Sequence, residues 1–243
     1  RVTPEMLDSA AGRSAGALGD KLSDLALIAG AYDAAAEKSG ADPVDSLDRL
    51  ALAVREHGLG AGKRIYVEET FHTPDDIPLR HDGKGYYISE YDLNLKLATK
   101  LKEKLQEKGI DVDLQISRDR TEDLNAAGRE DMSKNPKIYF SIHHNSFKPD
   151  SSGYLMLVNQ QNPKEKAYAQ LITDSLKDNP GHLPSWGVRE QDGYIGEMNE
   201  TSSILNFLFE AGFFSNKEEL QKIMSDEQVD YVSDELSDII IYI

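Results

Sequence analysis

The chain has 243 residues and a mass of 27.0 kDa, enough for one large domain or one ordinary domain with a small satellite. Its 39% hydrophobic and 29% charged residues, with a mean hydropathy of −0.53, indicate a globular protein, and no apolar run approaches the roughly 18 residues of a membrane-spanning helix. The formal net charge of −16 repels phosphate backbones and argues against a nucleic-acid partner, and the lack of cysteine leaves His, Asp and Glu as the metal ligands.

The first 62 residues are rich in alanine and predict a small helical region. Asp42 and Pro43 form a helix-start signal. An apolar stripe with helical spacing follows, at Leu47, Leu50, Leu52 and Val54. The glycine-rich segment 58–62 marks a boundary, after which we expect residues 63–243 to fold on their own. This region is expected to serve in regulation, docking or packing, and none of its features identifies a partner. Because the chain begins at Arg1, we expect an excised fragment, with a removed signal peptide left open.

From Lys63 onward, short β-branched and aromatic runs alternate with charged helical stretches, which is the pattern of an α/β domain. The predicted strands are 64–70, 111–117, 137–143, 153–158 and 203–210. The predicted helices are 90–108, 122–133, 164–178 and 227–239. Segment 179–200, rich in glycine and proline, predicts a long loop. We therefore expect a mixed, mostly parallel sheet flanked by helices.

Three candidate metal ligands lie at the boundaries of these elements. His72 and His143 end predicted strands, and Glu90 opens a helix. Sites in open α/β sheets form at the carboxyl ends of strands, so we expect the three to converge. Two of them also have an ordinary explanation. His72 could be an exposed imidazole in a loop, and Glu90 could be an acidic residue that the helix dipole favours in a first turn. His144 alternates with His143 along the strand, so at most one of the two is expected to face a metal.

Glu210 follows the apolar run 203–209 directly. A carboxylate at the end of a buried strand is costly unless it is paired, coordinated or used in proton transfer. The alternative is an edge carboxylate that reaches water. A metal hydrolase needs such a group beside its zinc-bound water, because the carboxylate takes the proton of the water and returns it to the leaving nitrogen.

Two sequence motifs resemble those of the zinc-dependent N-acetylmuramoyl-L-alanine amidases. Residues 141–145, Ser-Ile-His-His-Asn, resemble the Ser-Ile-His-x-Asn motif of that family, and residues 209–216 are similar to its late Glu-x-Gly-Phe-x-x-Asn motif. Three landmarks occur in the expected order: the Glu90 segment, the Ser117-Arg118 pair and Arg129. The resemblance covers roughly residues 63–243.

This resemblance implies that His72, Glu90 and His143 bind zinc and that Glu210 is the catalytic acid/base. One departure concerns the first ligand, because the family usually presents it in Asp-Pro-Gly-His-Gly-Gly, whereas residues 69–74 read Glu-Thr-Phe-His-Thr-Pro. His81 is the alternative ligand. We favour His72, because a strand end positions a ligand more rigidly than the glycine loop beside His81.

The leading hypothesis is therefore an enzyme that cleaves the amide between N-acetylmuramic acid and L-alanine in peptidoglycan. The alternatives are a zinc peptidase or carboxypeptidase acting on peptidoglycan stem peptides, and a non-catalytic wall-binding module. Asn145, Trp186 and Arg189 are the candidate substrate-binding residues, with a core position as the alternative for Trp186. Such an enzyme would be an autolysin that is secreted or held in the cell wall or periplasm.

Overall fold

A computed structural model describes residues 50–55, 64–110, 112–117, 138–160, 162–191 and 205–243. The predictions for residues 1–49, the glycine-rich segment 58–62 and helix 122–133 lie outside these residues. The described strands are β1 (Leu50–Arg55), β2 (Arg64–Val67), β3 (Arg80–Asp82), β4 (Gly85–Ser89), β5 (Val112–Ser117), β6 (Ile138–Asn145), β7 (Tyr154–Asn159), β8 (Ser185–Gln191) and β9 (Leu205–Phe213). The described α-helices are α1 (Glu90–Glu107), α2 (Pro163–Ser175), α3 (Lys217–Met224) and α4 (Asp226–Ile240).

Six strands form one large mixed sheet in the order β5-β1-β6-β9-β7-β8. Four of the neighbouring pairs are parallel, and only β7 and β9 run antiparallel. Helices α1, α2 and α4 pack with this sheet in one apolar core. The expected mixed, mostly parallel sheet with flanking helices is confirmed.

The N-terminal part of this sheet corrects one prediction. Residues 50–55 form strand β1, which pairs with β5 on one side and β6 on the other, so the helix predicted through Leu50, Leu52 and Val54 is wrong. Short apolar runs fit either helix or strand, and here two distant parallel partners decide the outcome. The large sheet therefore begins before the proposed domain boundary at residue 62.

A separate three-stranded antiparallel sheet has the order β2-β4-β3. The strand predicted over 64–70 is its member β2, which ends at Val67 and is not part of the large sheet. The small sheet leads directly into α1, because β4 ends at Ser89 and the helix starts at Glu90. It therefore supports the start of α1 and does not extend the main sheet.

Two further elements differ from the sequence prediction. Residues 185–191, expected to be loop, form the edge strand β8, and α3 was not predicted. Helix 164–178 is confirmed as α2 followed by a short 3-10 turn over Leu176–Asp178, and helix 227–239 is confirmed as α4. Within the described ranges, no helix is long and apolar enough to cross a membrane.

Helices α1 and α4 are joined by a ladder of four lysine–aspartate ion pairs. Lysines four residues apart on α1 face aspartates four residues apart on α4, with N–O distances between 2.5 and 2.9 Å. The pairs are Lys96–Asp226, Lys100–Asp230, Lys104–Asp234 and Lys108–Asp238. A four-residue spacing keeps all members on one helix face, so the ladder runs along the whole contact.

Candidate active site

The carboxyl ends of β6 and β9 bring His143 and Glu210 side by side. The two strands are parallel neighbours, and these two residues are partners in the strand register. Register partners on adjacent strands present their side chains to the same face of a sheet. His143 is buried and Glu210 is half-buried. The large sheet therefore places an imidazole and a carboxylate together at its carboxyl end.

Glu90 reaches the same place from the first residue of α1. Ser89 caps the helix by accepting a hydrogen bond from the backbone N–H of Tyr91. Glu90 is buried, and its Oε1 lies 3.2 Å from Nδ1 of His143. The unpaired N–H groups at a helix start favour a carboxylate at this position. The direct passage from β4 into α1 thus fixes Glu90 against His143.

The spacing of this pair fits two ligands of one zinc ion. Zinc binds imidazole nitrogen at ~2.0–2.1 Å and carboxylate oxygen at ~2.0–2.2 Å in tetrahedral geometry, which places neighbouring donor atoms about 3.4 Å apart. The 3.2 Å between Glu90 and His143 is close to that value. The other ring nitrogen of His143 lies 3.0 Å from Oγ of Ser141, a contact that orients the ring. The donor atoms and their spacing therefore suit zinc.

His144, the next residue of β6, uses its ring differently. Its Nδ1 lies 2.8 Å from Oδ1 of Asn94, one turn after Glu90 on α1. Burial lowers the pKa of His144 to about 4, although the nearby Glu90 carboxylate opposes that shift and His143 adds to it. A neutral His144 can donate from Nδ1 to Asn94, whose Nδ2 in turn donates to Oε1 of Glu90 at 3.3 Å. His144 therefore helps to orient the Glu90 carboxylate through Asn94.

An ion pair ties the small sheet to the start of α1. Arg80 of β3 donates from Nε and from one terminal nitrogen to the two carboxylate oxygens of Asp92, at 2.6 and 2.7 Å. Asp92 is buried and stands two residues after Glu90. Bidentate arginine–carboxylate pairs fix orientation as well as distance. The hairpin β3–β4 is thereby clamped beside the candidate site.

The contacts of the segment after Glu210 explain why the motif over residues 209–216 has its glycine and its asparagine at these positions. A Cβ atom at Gly212 would lie 2.7 Å from Ile223 and 2.9 Å from Glu219, both on α3, so this close approach requires glycine. Asn216 caps α3 and donates from Nδ2 to the Ser151 carbonyl. The buried Glu219 accepts from the backbone N–H of Phe213 at 2.6 Å. Sequence analysis missed Glu219, because only the folded chain shows this contact.

His72 follows a strand of the small sheet. The expectation assumed that strand 64–70 ends at the large sheet, whereas β2 belongs to the small one. His72 lies exposed in the following loop, and its carbonyl accepts from Gln221 of α3. His81 is exposed on β3, with its ring against Tyr86. In the part of the chain that the structure describes, no three His, Asp or Glu side chains form a metal-binding group.

Sequence analysis also passed over a histidine that follows β1. His57 comes two residues after Arg55, the last residue of that strand, and lies outside the described residues. In the register of β1 and β6, Ala53 is paired with Ser141, two residues before His143. The pattern that could have identified this histidine as a candidate ligand is the sequence His57-Gly58-Leu59-Gly60, in which glycines follow a histidine at the end of an apolar run. It was missed because that run was assigned to a helix.

The candidate substrate-binding residues lie near the same end of the sheet. Asn145 ends β6, and its carbonyl accepts from the backbone N–H of Phe214. Trp186 is 39% exposed at the start of β8 and packs against Phe213 in a tilted arrangement, with ring centroids 5.0 Å apart. The guanidinium of Arg189 lies over its ring. Trp186 is therefore partly exposed, with one contact to the core.

Comparison with known proteins gives a family match and a shared fold. The sequence model of N-acetylmuramoyl-L-alanine amidases, Amidase_3, matches residues 77–242, a range that starts after both His57 and His72. Among similar solved structures is the amidase AmiC2 of Nostoc punctiforme, with 19% identity, a TM-score of 0.57, and coverage of 81% of this chain and 97% of that one. An amidase of Clostridium difficile 630 shows 20% identity and a TM-score of 0.57 over 80% of this chain and 96% of its own. No curated protein sequence matches the chain.

Proposed function

Because the chain belongs to the N-acetylmuramoyl-L-alanine amidase family Amidase_3, we propose that it hydrolyses the amide between N-acetylmuramic acid and L-alanine in peptidoglycan with the help of zinc. The observation that carries this proposal is the meeting of Glu90, His143 and Glu210 where β6 and β9 end. A peptidoglycan substrate places the working enzyme outside the cytoplasm, secreted or in the cell wall or periplasm.

The zinc ligands in this proposal are Glu90, His143 and one further histidine, for which we now favour His57 over His72. Strand β1, which ends at Arg55, pairs with β6. Because two residues span at most ~7 Å of chain, His57 stays within that reach of the end of β1. His72 follows a strand of the other sheet. Bound zinc would supply Lewis-acid activation of a water molecule and of the scissile carbonyl.

Glu210 is the acid/base in this mechanism. Its carboxylate stands beside His143 in the register, so it can accept a proton from the attacking water and return it to the leaving amine of L-alanine. Glu90, which faces the ring of His143 from the start of a helix, is placed to act as a metal ligand. The two carboxylates thus take different roles because their surroundings differ.

Product analysis tests the proposal against its alternatives. Zinc-loaded protein is incubated with purified peptidoglycan, and we expect released stem peptides that carry a new amino group on L-alanine. Glu210→Gln is the matched control, since it preserves shape and removes the proton acceptor. New termini only within the stem would support the peptidase alternative instead. Retention on the cell wall without any cleavage would support a binding module.

A further inference from the structure

Two exposed aromatic side chains flank the segment that follows Glu210. Among the described residues, the large hydrophobic side chains that remain exposed are Phe147 at 65%, and Trp186 and Tyr66 at 39% each. Tyr66 belongs to the small sheet, whereas Phe147 and Trp186 contact the end of β9 and the turn after it. Neighbouring exposed aromatic side chains form the kind of apolar patch that marks a binding site, whereas single exposed residues are ordinary.

Trp186 is held in one orientation. Its Nε1 donates to the Ser152 carbonyl at 2.8 Å, and its ring packs on the buried Phe213, the last residue of β9. A Cβ atom at Gly153 would lie 2.2 Å from the carbonyl oxygen of Pro184 and 3.0 Å from the indole, so the two loops fit closely. The exposed part of the indole is therefore a rigid surface that a ligand meets without an ordering cost.

Phe147 is linked to the same turn through its backbone. Its backbone N–H donates to Oγ of Ser215 at 3.0 Å, and it follows His143 by four residues. Phe213, which contacts the Trp186 ring, and Ser215, which holds the Phe147 backbone, are two residues apart, so at most ~7 Å of chain separates them. Both aromatics thus border the end of the sheet where His143 and Glu210 lie.

A cation accompanies each of these rings. Lys148 Nζ lies 5.6 Å from the ring centre of Phe147, and the Arg189 guanidinium lies 5.7 Å from that of Trp186. The chain as a whole has a net charge of −16, so the two positively charged side chains at this site contrast with the negative charge of the whole chain. Apolar ring faces beside cations match a polymer of sugar rings that also bears carboxylates.

We propose that Phe147 and Trp186 form a carbohydrate platform that stacks the N-acetylated amino-sugar rings of a glycan strand, while Arg189 and Lys148 meet carboxylates of the attached peptides. This inference rests on the proposed function for the polymer involved, and it adds the sugar strand as a recognised part. The aromatic faces pack on the C–H faces of the sugars, which positions the lactyl amide between the platform and Glu210.

The experiment uses the fact that Trp186 is the single tryptophan of the chain. Zinc-loaded protein of residues 1–243 is titrated with a soluble β-1,4 oligomer of N-acetylglucosamine, which lacks the scissile amide. We expect a saturable change in tryptophan emission. Phe147→Ala should weaken binding about tenfold, the effect of roughly 1.4 kcal/mol of lost stacking. Tyr66→Ala, which removes an exposed ring from the other sheet, is the matched control and should leave the dissociation constant unchanged.

Other outcomes would contradict the proposed carbohydrate platform. An unchanged emission, or equal effects of Phe147→Ala and Tyr66→Ala, would show that the sugars do not bind there. A response only to a stem peptide without sugar would make the surface a peptide site. Because the oligomer is not cleaved, binding is measured independently of amidase activity: sugar binding without peptidoglycan cleavage contradicts the proposed function alone, and cleavage without sugar binding contradicts the platform alone.

Discussion

His144 and Asn94 form a buried pair, with Nδ1 and Oδ1 2.8 Å apart, directly behind the carboxylate of Glu90. Asn94 uses its other amide atom on Glu90, so the orientation of the carboxylate depends on both residues. Groups that hydrogen-bond to a metal ligand orient it and strengthen metal binding. His144 is thus a positioning residue, and its effect should appear in metal affinity.

Asn94→Ala and His144→Ala should each weaken zinc affinity by about 10–100-fold, because Glu90 loses its fixed orientation. Competition with a chelating dye measures the affinity directly. Asn179→Ala is a suitable control, since Asn179 is equally buried and its side chain bonds to the nearby backbone groups of Leu176 and Leu183, away from Glu90 in the sequence. Equal zinc affinities in all three variants would show that this pair serves the fold alone.

The third zinc ligand can be identified by separate alanine substitutions at His57, His72 and His81. We expect His57→Ala to lose bound zinc after dialysis, while the other two variants keep one zinc per chain. Elemental analysis gives the stoichiometry, and a Glu90→Ala variant serves as a positive control for loss. Loss of zinc in His72→Ala alone would restore the ligand set that the sequence first suggested.

Replacing Glu210 by glutamine should lower turnover on peptidoglycan by roughly 10²–10⁴-fold, because the amide cannot accept the proton of the attacking water. Zinc content and thermal midpoint should stay close to those of the parent protein, since the shape of the side chain is kept. Release of dye-labelled peptidoglycan measures the rate. Near-normal release would assign proton transfer to another group.

Truncation separates the large sheet from the region before it. A protein of residues 50–243 should keep its fold, whereas residues 63–243 should not reach it, because β1 lies inside the sheet and is, among the described strands, the one that pairs with β5. Circular dichroism and thermal melting compare the two. A cooperative melt of 63–243 at the temperature of the longer protein would show that β1 is dispensable and would restore the boundary at residue 62.

Lys96 should contribute more to stability than the other lysines of the ladder. Its side chain is 6% exposed and donates to Asp76, Asp226 and the Met224 carbonyl. We expect Lys96→Met to cost about 1–2 kcal/mol, and Lys104→Met, in a more exposed pair, at most ~0.5 kcal/mol. Urea unfolding of both variants measures the difference, and equal costs would contradict the special role of Lys96.

The Lys96 contribution should also depend on pH. Its hydrogen bond and charge lower the pKa of Asp226, so the stabilisation is complete above the ordinary aspartate range and is lost as the pH falls through the lowered pKa. The stability gap between the parent protein and Lys96→Met should therefore narrow in acid. A gap that widens on acidification would show that the aspartate is not the relevant partner.

The sequence predicted the elements whose local pattern is strong. Helix α1 carries a regular leucine stripe and a glycine stop, and β6 and β9 each contain an apolar run, so their positions and the residues His143 and Glu210 that follow those runs could be identified. These elements fix one end of the sheet, and with it the meeting of His143 and Glu210.

The remaining features depend on contacts between distant parts of the chain. The run 50–55 becomes a strand only because β5 and β6, more than fifty residues later, pair with it, and His57 was overlooked with it. Strand β8 has Trp186 and Gly187 in a segment full of turn residues, and pairing with β7 overrides that local signal. Glu219, near the start of α3, accepts a hydrogen bond from Phe213, and no periodic sequence pattern predicts the start of that helix.

The lysine–aspartate ladder has a repeat of four residues on both helices, so it does not by itself choose how α1 and α4 are aligned. If α4 slid by about 6 Å, one four-residue step, Lys96 would meet Asp230 and three of the four pairs would form again. Two of the lysines have further partners that such a slide would break. Lys96 contacts Asp76 and the Met224 carbonyl, and Lys108 donates to Oγ of Ser237. The ladder therefore adds attraction all along the contact, while the choice of alignment rests on its first and last steps and on the apolar side chains beneath it.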